Sequence, residues 1–161
     1  VDVAQTGFFD GREARTFREW ETATTDTLII KAVVPIDIIL FELGITGEEG
    51  AARVETLVGG TEGGTFSETL PIFSTNNMAS RPTPFYVHTV LLTAGGTLTG
   101  GTLLDVLRIK TSTTSNFASS VGAATGAERG VAANTYYFRI TLTGFIGVFK
   151  ARWEERPDPL P

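Results

Sequence analysis

The stretch TYYFRITLT, residues 135–143, alternates: in an extended chain Phe138, Ile140 and Leu142 fall on one face and Arg139, Thr141 and Thr143 on the other. A period of two gives a strand one apolar and one polar face, so this segment predicts a strand lying on a core with its polar side turned outward. GVFKARWEE, residues 147–155, repeats the pattern, with Phe149, Ala151 and Trp153 opposing Lys150, Arg152 and Glu154. Gly144 and Gly147 stand between the two runs and predict the corner of a hairpin.

Further runs of the same kind lie upstream: ARTFREWET, TLIIKAVV, IDIILFEL, ARVETLV, TFSETLPIF, FYVHTVLLT and LLDVLRIKT. Gly and Thr are abundant, Phe and Val are common, and long Ala, Leu, Glu and Lys runs are missing, a balance that favours pleated strands over helices. The predicted fold is all-β, an antiparallel β-sandwich or jelly roll of about eight or nine strands separated by turn signals. Pro35 belongs at an edge, a bulge or a strand-to-strand corner, because it has no amide proton to give a ladder. Residues 1–12, VDVAQTGFFDGR, keep no period; residues 1–16 are expected to form an extended N-terminal arm, 17–157 a single sandwich domain and 158–161 a C-terminal tail. STNNMASRPTP, residues 74–84, has the Asn, Ser and Pro density of an ordered loop. Residues 114–134 form the longest irregular segment, rich in small residues, and a loop of that length in a compact domain is usually functional or mobile.

Bulk properties exclude several functions. A chain of 161 residues is about one domain and buries roughly two-thirds of its unfolded surface, enough for a core without staples. Cysteine is absent, which removes disulfides, thiolate ligands and a cysteine nucleophile and suits synthesis in a reducing cytoplasm. A formal net charge of −5 argues against free nucleic acid and against an anionic membrane surface as partners. The most apolar window, residues 28–43, is broken by Lys31, Pro35 and Asp37 and is too short to span a bilayer, so it reads as two buried strands. No basic segment followed by an apolar one opens the chain, so no secretory signal is expected.

Reactive constellations do not assemble. GGTEGGT at 59–65 and GGTLTGGT at 95–102 flank small polar inserts with paired glycines, and the second approaches a phosphate loop, with Gly95, Gly100 and Thr102 in place. The lysine that would reach the terminal phosphates is replaced by Gly101, and strands lie on both sides, so each segment is expected to turn a hairpin. The single histidine, His88, shares a strand face with Tyr86 and Val90 and reads as a packed side chain, because zinc needs several His or Cys ligands and a triad needs partners the sequence does not bring near. Glu48 and Glu49 in TGEEG sit in what reads as a solvated turn, and no calcium loop occurs. No catalytic residue, cofactor or metal is therefore expected, and an enzyme of the kind the acidic residues suggest, a hydrolase with paired carboxylates, would require a concave pocket holding two facing acids. Most aromatics, Phe17 among them, are expected in the core; Phe8 and Phe9 beside Asp10 and Gly11, and Phe117 within a small-residue loop, are harder to bury locally and are candidate interface anchors.

The ordered series ARTFREW, VVPIDIILFELGIT, GGTEGGTF, NNMASRPTPFY, GGTLTGGTLLDVLRI, ERGVAANTYYFRI and ARWEERP, from about Phe17 to Pro157, resembles small virion proteins of tailed bacteriophages, particularly short-tailed marine and aquatic phages, of the capsid decoration or cement type. That resemblance implies a β-sandwich or jelly roll on the outer surface of the assembled head, often a trimer, which clamps neighbouring major capsid protein subunits and is assembled in the host bacterial cytoplasm. The contact surfaces expected on this reading are Phe8, Phe9, Arg12 and Arg15 in the arm and Phe117, Glu128 and Arg129 in the long loop. The alternative is a head-fibre, tail or baseplate protein whose jelly roll binds host carbohydrate.

Overall fold

The structure is a computed structural model that describes residues 12–75, 90–110, 120–122 and 129–155. In chain order the strands are β1 (Glu13–Glu21), β2 (Thr25–Val34), β3 (Ile38–Val58), β4 (Thr61–Gly63), β5 (Glu68–Thr69), β6 (Phe73–Ser74), β7 (Leu91–Ala94), β8 (Thr97–Thr99), β9 (Thr102–Lys110), β10 (Ser120–Gly122), β11 (Arg129–Val131) and β12 (Asn134–Glu155). Every pairing is antiparallel and no helix occurs among the described residues, so the all-β antiparallel class holds.

Two long strands make the spine. β3, 21 residues, and β12, 22 residues, run side by side from Tyr136 opposite Val58 to Glu155 opposite Ile38. Their first-sheet halves, 51–58 and 134–143, are flanked by β9 and by β2, with β7 and then β5 beyond β2. Their second-sheet halves, 38–49 and 146–155, are flanked by β10 and β11 and by β1, with β6 beyond β1. Residues 68–74 step from β5, on the edge of the first sheet, to β6, on the edge of the second, and so close one side of a curled half-barrel. Ile30, Val54 and Ile140 from the first sheet and Leu43, Ile45, Phe149 and Trp153 from the second join one core between them.

This corrects the expected hairpin at Gly144 and Gly147. TYYFRITLT and GVFKARWEE are one strand, and so are IDIILFEL and ARVETLV, with TGEEG inside β3 instead of in a turn. The glycines bend the spine without reversing it. The ladder slips between Thr143 and Ile146 and again between Ile146 and Gly147, and these irregularities reverse which parity faces the core: Ile140 and Leu142 point inward before them, Phe145, Phe149 and Ala151 after them. β3 makes the same change, from Leu43 and Ile45 to Ala52 and Val54. Sheets whose strands turn a corner through bulges need glycine where the backbones close in. A Cβ on Gly50, whose φ is +83°, would strike the carbonyl oxygens of Gly144 and Thr143, and one on Gly147 would strike the Thr46 carbonyl and the buried Phe145 ring.

The double-glycine segments do something different again. Each joins strand to strand as expected, yet they do not turn two separate hairpins. They pair with each other: Thr61 opposite Thr99, Glu62 opposite Leu98 and Gly63 opposite Thr97 make a two-stranded ribbon, β4–β8, that continues the β3–β9 ladder after a break at Gly59–Gly60 and Gly100–Gly101. All four of these glycines have positive φ, between +74° and +96°, so both strands of the ladder kink at the same level. The ribbon folds onto the outer face of the first sheet, where Leu98 packs with Ile29, Leu57 and Tyr137, and Phe66 leans against them. Polar bonds fix it there: Lys31 Nζ and the Tyr137 hydroxyl both reach Glu62 Oε1 at 2.5 Å, and Arg139 Nη2 donates to the Leu98 carbonyl at 3.1 Å.

Other differences are local. Of TFSETLPIF only the short β5 and β6 are strand, because residues 68–74 are crossing between sheets. Of FYVHTVLLT, Leu91–Ala94 form β7, and His88 lies outside the described residues. Residues 13–16, assigned to the arm, are the start of β1, held opposite Glu154 to Ala151. Pro35 follows β2 at the corner before β3, where Asp37 Oδ1 accepts the Ala133 N–H at 2.9 Å.

Candidate interaction surface

Alternation along β1 separates two chemistries. Ala14, Thr16 and Trp20 face the core, and Arg15, Phe17, Glu19 and Glu21 face outward. Antiparallel register extends this outer face across the second sheet. Arg15 lies opposite Arg152 on β12 and Phe73 on β6, Phe17 opposite Lys150, and Glu19 opposite Val148. The Phe17 and Phe73 rings stack, 16° from parallel with centroids 6.0 Å apart, and stay 38% and 42% exposed, far from the burial expected of core aromatics. Arg15 covers Phe73 at 5.8 Å and Arg152 covers Phe41 at 5.3 Å, contacts that hold cations over ring faces. One end of the face is therefore aromatic and cationic. At the other end Glu19, Glu21 and Glu48 rim a depression whose walls include Ile146 and Val148.

Behind the cationic end sit buried carboxylates. Glu13, Glu154 and Glu155 are all under 5% exposed. Arg152 Nη1 donates to Glu13 Oε1 at 3.0 Å, Arg12 Nη1 lies 3.3 Å from Glu154 Oε1, and Glu155 Oε1 accepts the Val90 N–H at 3.1 Å. Burial pushes the Glu13 carboxyl above its usual range, against the opposing pull of Arg152 and the Thr75 hydroxyl. Each of these acids fastens a strand end: β1 to β12, or Val90 to the end of β12.

The same end gathers the borders of the sheets. The Glu155 N–H donates to the Arg12 carbonyl, the Thr75 N–H to the Glu13 carbonyl, and Val90 is tied to Glu155. Arg129 on β11 pairs with Leu40, which pairs with Trp153, which pairs with Ala14. Arg12, Thr75, Val90 and Glu155, described residues at the borders of 1–11, 76–89 and 156–161, thus meet at one pole. Between the sheets near this pole is an apolar cavity of about 250 Å³ lined by residues such as Val34, Leu43, Phe138, Phe149 and Trp153. Asp105 is the one carboxylate among its described lining residues.

Of the residues expected to make contacts, Arg12 is turned inward to Glu154, with its side chain 11% exposed, and Arg15 is exposed on the aromatic face. Arg129 lies in β11, three strands away from the row of Ala14, about 14 Å at ordinary strand spacing. Phe8, Phe9, Phe117 and Glu128 lie outside the described residues. Phe17, Phe73, Lys150 and Arg152 were not singled out as contact residues, although Phe17 shares the parity of Arg15 and Glu19 and not that of Trp20, which places it on the outer face. Among the described residues no group of His, Cys, Asp and Glu is arranged to hold a metal ion, and no helix is long and apolar enough to cross a membrane. Comparison with protein-family models, with curated proteins and with solved structures returned no match.

Proposed function

We propose that this chain is a bacteriophage capsid decoration protein that binds the outer surface of the assembled head and braces neighbouring major capsid protein subunits. The observation that carries the reading is the single pole at which Arg12, Thr75, Val90 and Glu155 are fastened to one another. A cement needs a stiff body and contact segments that leave it on one side, so that two lattice subunits are bridged by one rigid unit. The shared spine supplies the stiffness, and the described residues that border 1–11, 76–89 and 156–161 meet at that one side. Binding only to the assembled lattice would stabilise it by mass action, and repeated placement on the lattice would add avidity.

The test is removal of residues 1–11, which leaves β1 whole from Glu13. The truncated chain should keep the circular dichroism of the full chain but fail to co-sediment with expanded heads, and the heads should lose the rise in melting temperature that the full chain confers. If the full chain neither co-sediments with heads nor raises their melting temperature, the function is wrong. If the truncated chain does both as well as the full chain, the role of the arm is wrong.

A further inference from the structure

We propose that the apolar cavity between the two sheets binds a small, uncharged, largely apolar molecule, two fused rings in size, that carries one hydrogen-bond acceptor for the Trp153 indole N–H. At about 250 Å³ the cavity is far larger than the voids of an ordinary core, few of which exceed a water molecule. A dry apolar cavity of about 150 Å³ takes up benzene, so this one has room for a second ring. Its walls come from both sheets: Ala32, Val34 and Phe138 from the first, Leu43, Phe149 and Ala151 from the second.

Two observations set the chemistry of the occupant. Trp153 lines the cavity, is 2% exposed, and its Nε1–H has no hydrogen-bond partner among the described residues. A buried donor left unpaired is costly, and nearly every one in a folded protein meets an acceptor. Water would serve it badly, because a buried water needs several polar partners. The Tyr136 hydroxyl already donates to the Ala132 carbonyl, and Asp105 Oδ1 already accepts the Val106 N–H, each at 2.8 Å. The second observation is the opening. The β3–β9 ladder slips so that Thr56 faces Asp105 and Leu57 faces Leu103, which leaves Leu104 as the extra residue of a bulge, 53% exposed. Gly130 and Ala132, at and just after β11, are the other exposed residues of the described lining. β9 and β11 both pair with the edge of β3 that faces away from β12, so the cavity opens on that side. An apolar interior disfavours any charge, and Asp105 beside Leu104 adds repulsion against an anion; no cationic side chain is among the described lining residues. This site stands or falls apart from head binding.

Equilibrium dialysis of the full chain at neutral pH against three compounds of one shape tests it: naphthalene, which has no acceptor; quinoline, which has one ring nitrogen; and 2-naphthoate, an anion. Naphthalene and quinoline should both bind saturably, and 2-naphthoate should bind about tenfold or more weakly than quinoline. Trp153→Phe should lower the quinoline-to-naphthalene affinity ratio about fivefold to tenfold, the worth of one hydrogen bond, and continued uptake of naphthalene shows that this variant is folded. Ala151→Leu puts a larger side chain into the cavity and should abolish the binding of both compounds while its urea midpoint holds or rises, as filling a void does. Absence of saturable binding of either compound to the wild type overturns the proposal. So does a ratio unchanged in Trp153→Phe, binding that survives in Ala151→Leu, or 2-naphthoate bound as tightly as quinoline.

Discussion

Glycine is used in two regions of this molecule for opposite reasons. At the bend of the spine, Gly47, Gly50 and Gly147 are where they are because something else occupies the space: backbone carbonyls across the β3–β12 pair, and the Phe145 ring, which is fully buried. At the kink before the β4–β8 ribbon, Gly59 and Gly100 have nothing within 4 Å of a would-be Cβ, and only their φ of +74° singles them out. The bend is a packing constraint, and the kink is a conformational one. The same residue type therefore tolerates very different replacements at the two places.

The largest effect should come from the bend. Gly50→Ala combines a positive φ with collision against backbone that cannot step aside, and should destabilise by about 3 kcal/mol or more in urea denaturation. Gly147→Ala should be of similar severity although its φ is ordinary, because the Thr46 carbonyl and Phe145 fill its place. Asparagine should rescue neither. At the kink, Gly59→Ala or Gly100→Ala should lose about 1–2 kcal/mol from the left-handed conformation alone, and asparagine, which tolerates that conformation, should recover most of it. Equal losses for asparagine at Gly50 and Gly59 would erase the distinction.

The smallest effect concerns how the ribbon is held down, and it is read through pH. Hydrogen bonds from Lys31 and then from Tyr137 hold the Glu62 carboxyl below its usual range, and burial followed by Glu62 raises the Tyr137 phenol to about 12. A depressed carboxyl contributes stability above its unfolded value near 4.5 and loses it as pH falls through the folded value. A raised phenol contributes stability below 10.0 and loses it as pH rises toward about 12. Tyr137→Phe should therefore flatten the alkaline limb of a plot of urea midpoint against pH, and Glu62→Gln should reduce both limbs, since burial of the phenol remains. The loss at neutral pH from either should stay under about 1 kcal/mol, since Glu62 is a surface group. Glu68, lowered by its hydrogen bonds from Arg18, adds to the acid loss, while Glu13, raised by burial, opposes it because its protonated form is the one the fold favours.

How far these regions could be read in advance follows from what each leaves in the chain. The faces of β12 were legible: Phe138, Ile140 and Leu142 do point to the core, and so do Phe149, Ala151 and Trp153. Their continuity was not, because Gly144 and Gly147 look the same in sequence whether a strand reverses or bends. The discriminating residues stand between them. Phe145 and Ile146 are apolar where a hairpin tip would be polar, and the core parity changes from even to odd across them. The ribbon was hidden for another reason. Its partner strands are more than thirty residues apart, and nothing local in GGTEGGT announces GGTLTGGT as its mate. On the candidate surface, the exposure of Arg15 was legible from alternation, whereas the inward turn of Arg12 depends on Glu154, which register alone brings beside it.

The spine has a consequence for how the chain is made. Its two strands, residues 38–58 and 134–155, are separated by residues 59–133, and β12 is the partner of β1, β2 and β3 alike. A ribosome therefore delivers this shared strand after all three of its partners. Until it arrives, β1, β2 and β3 have prepared edges and no common neighbour, a state of high contact order that folds slowly and leaves strand edges open to other chains. Folding should close in one late step, with synthesis of β12 as its trigger.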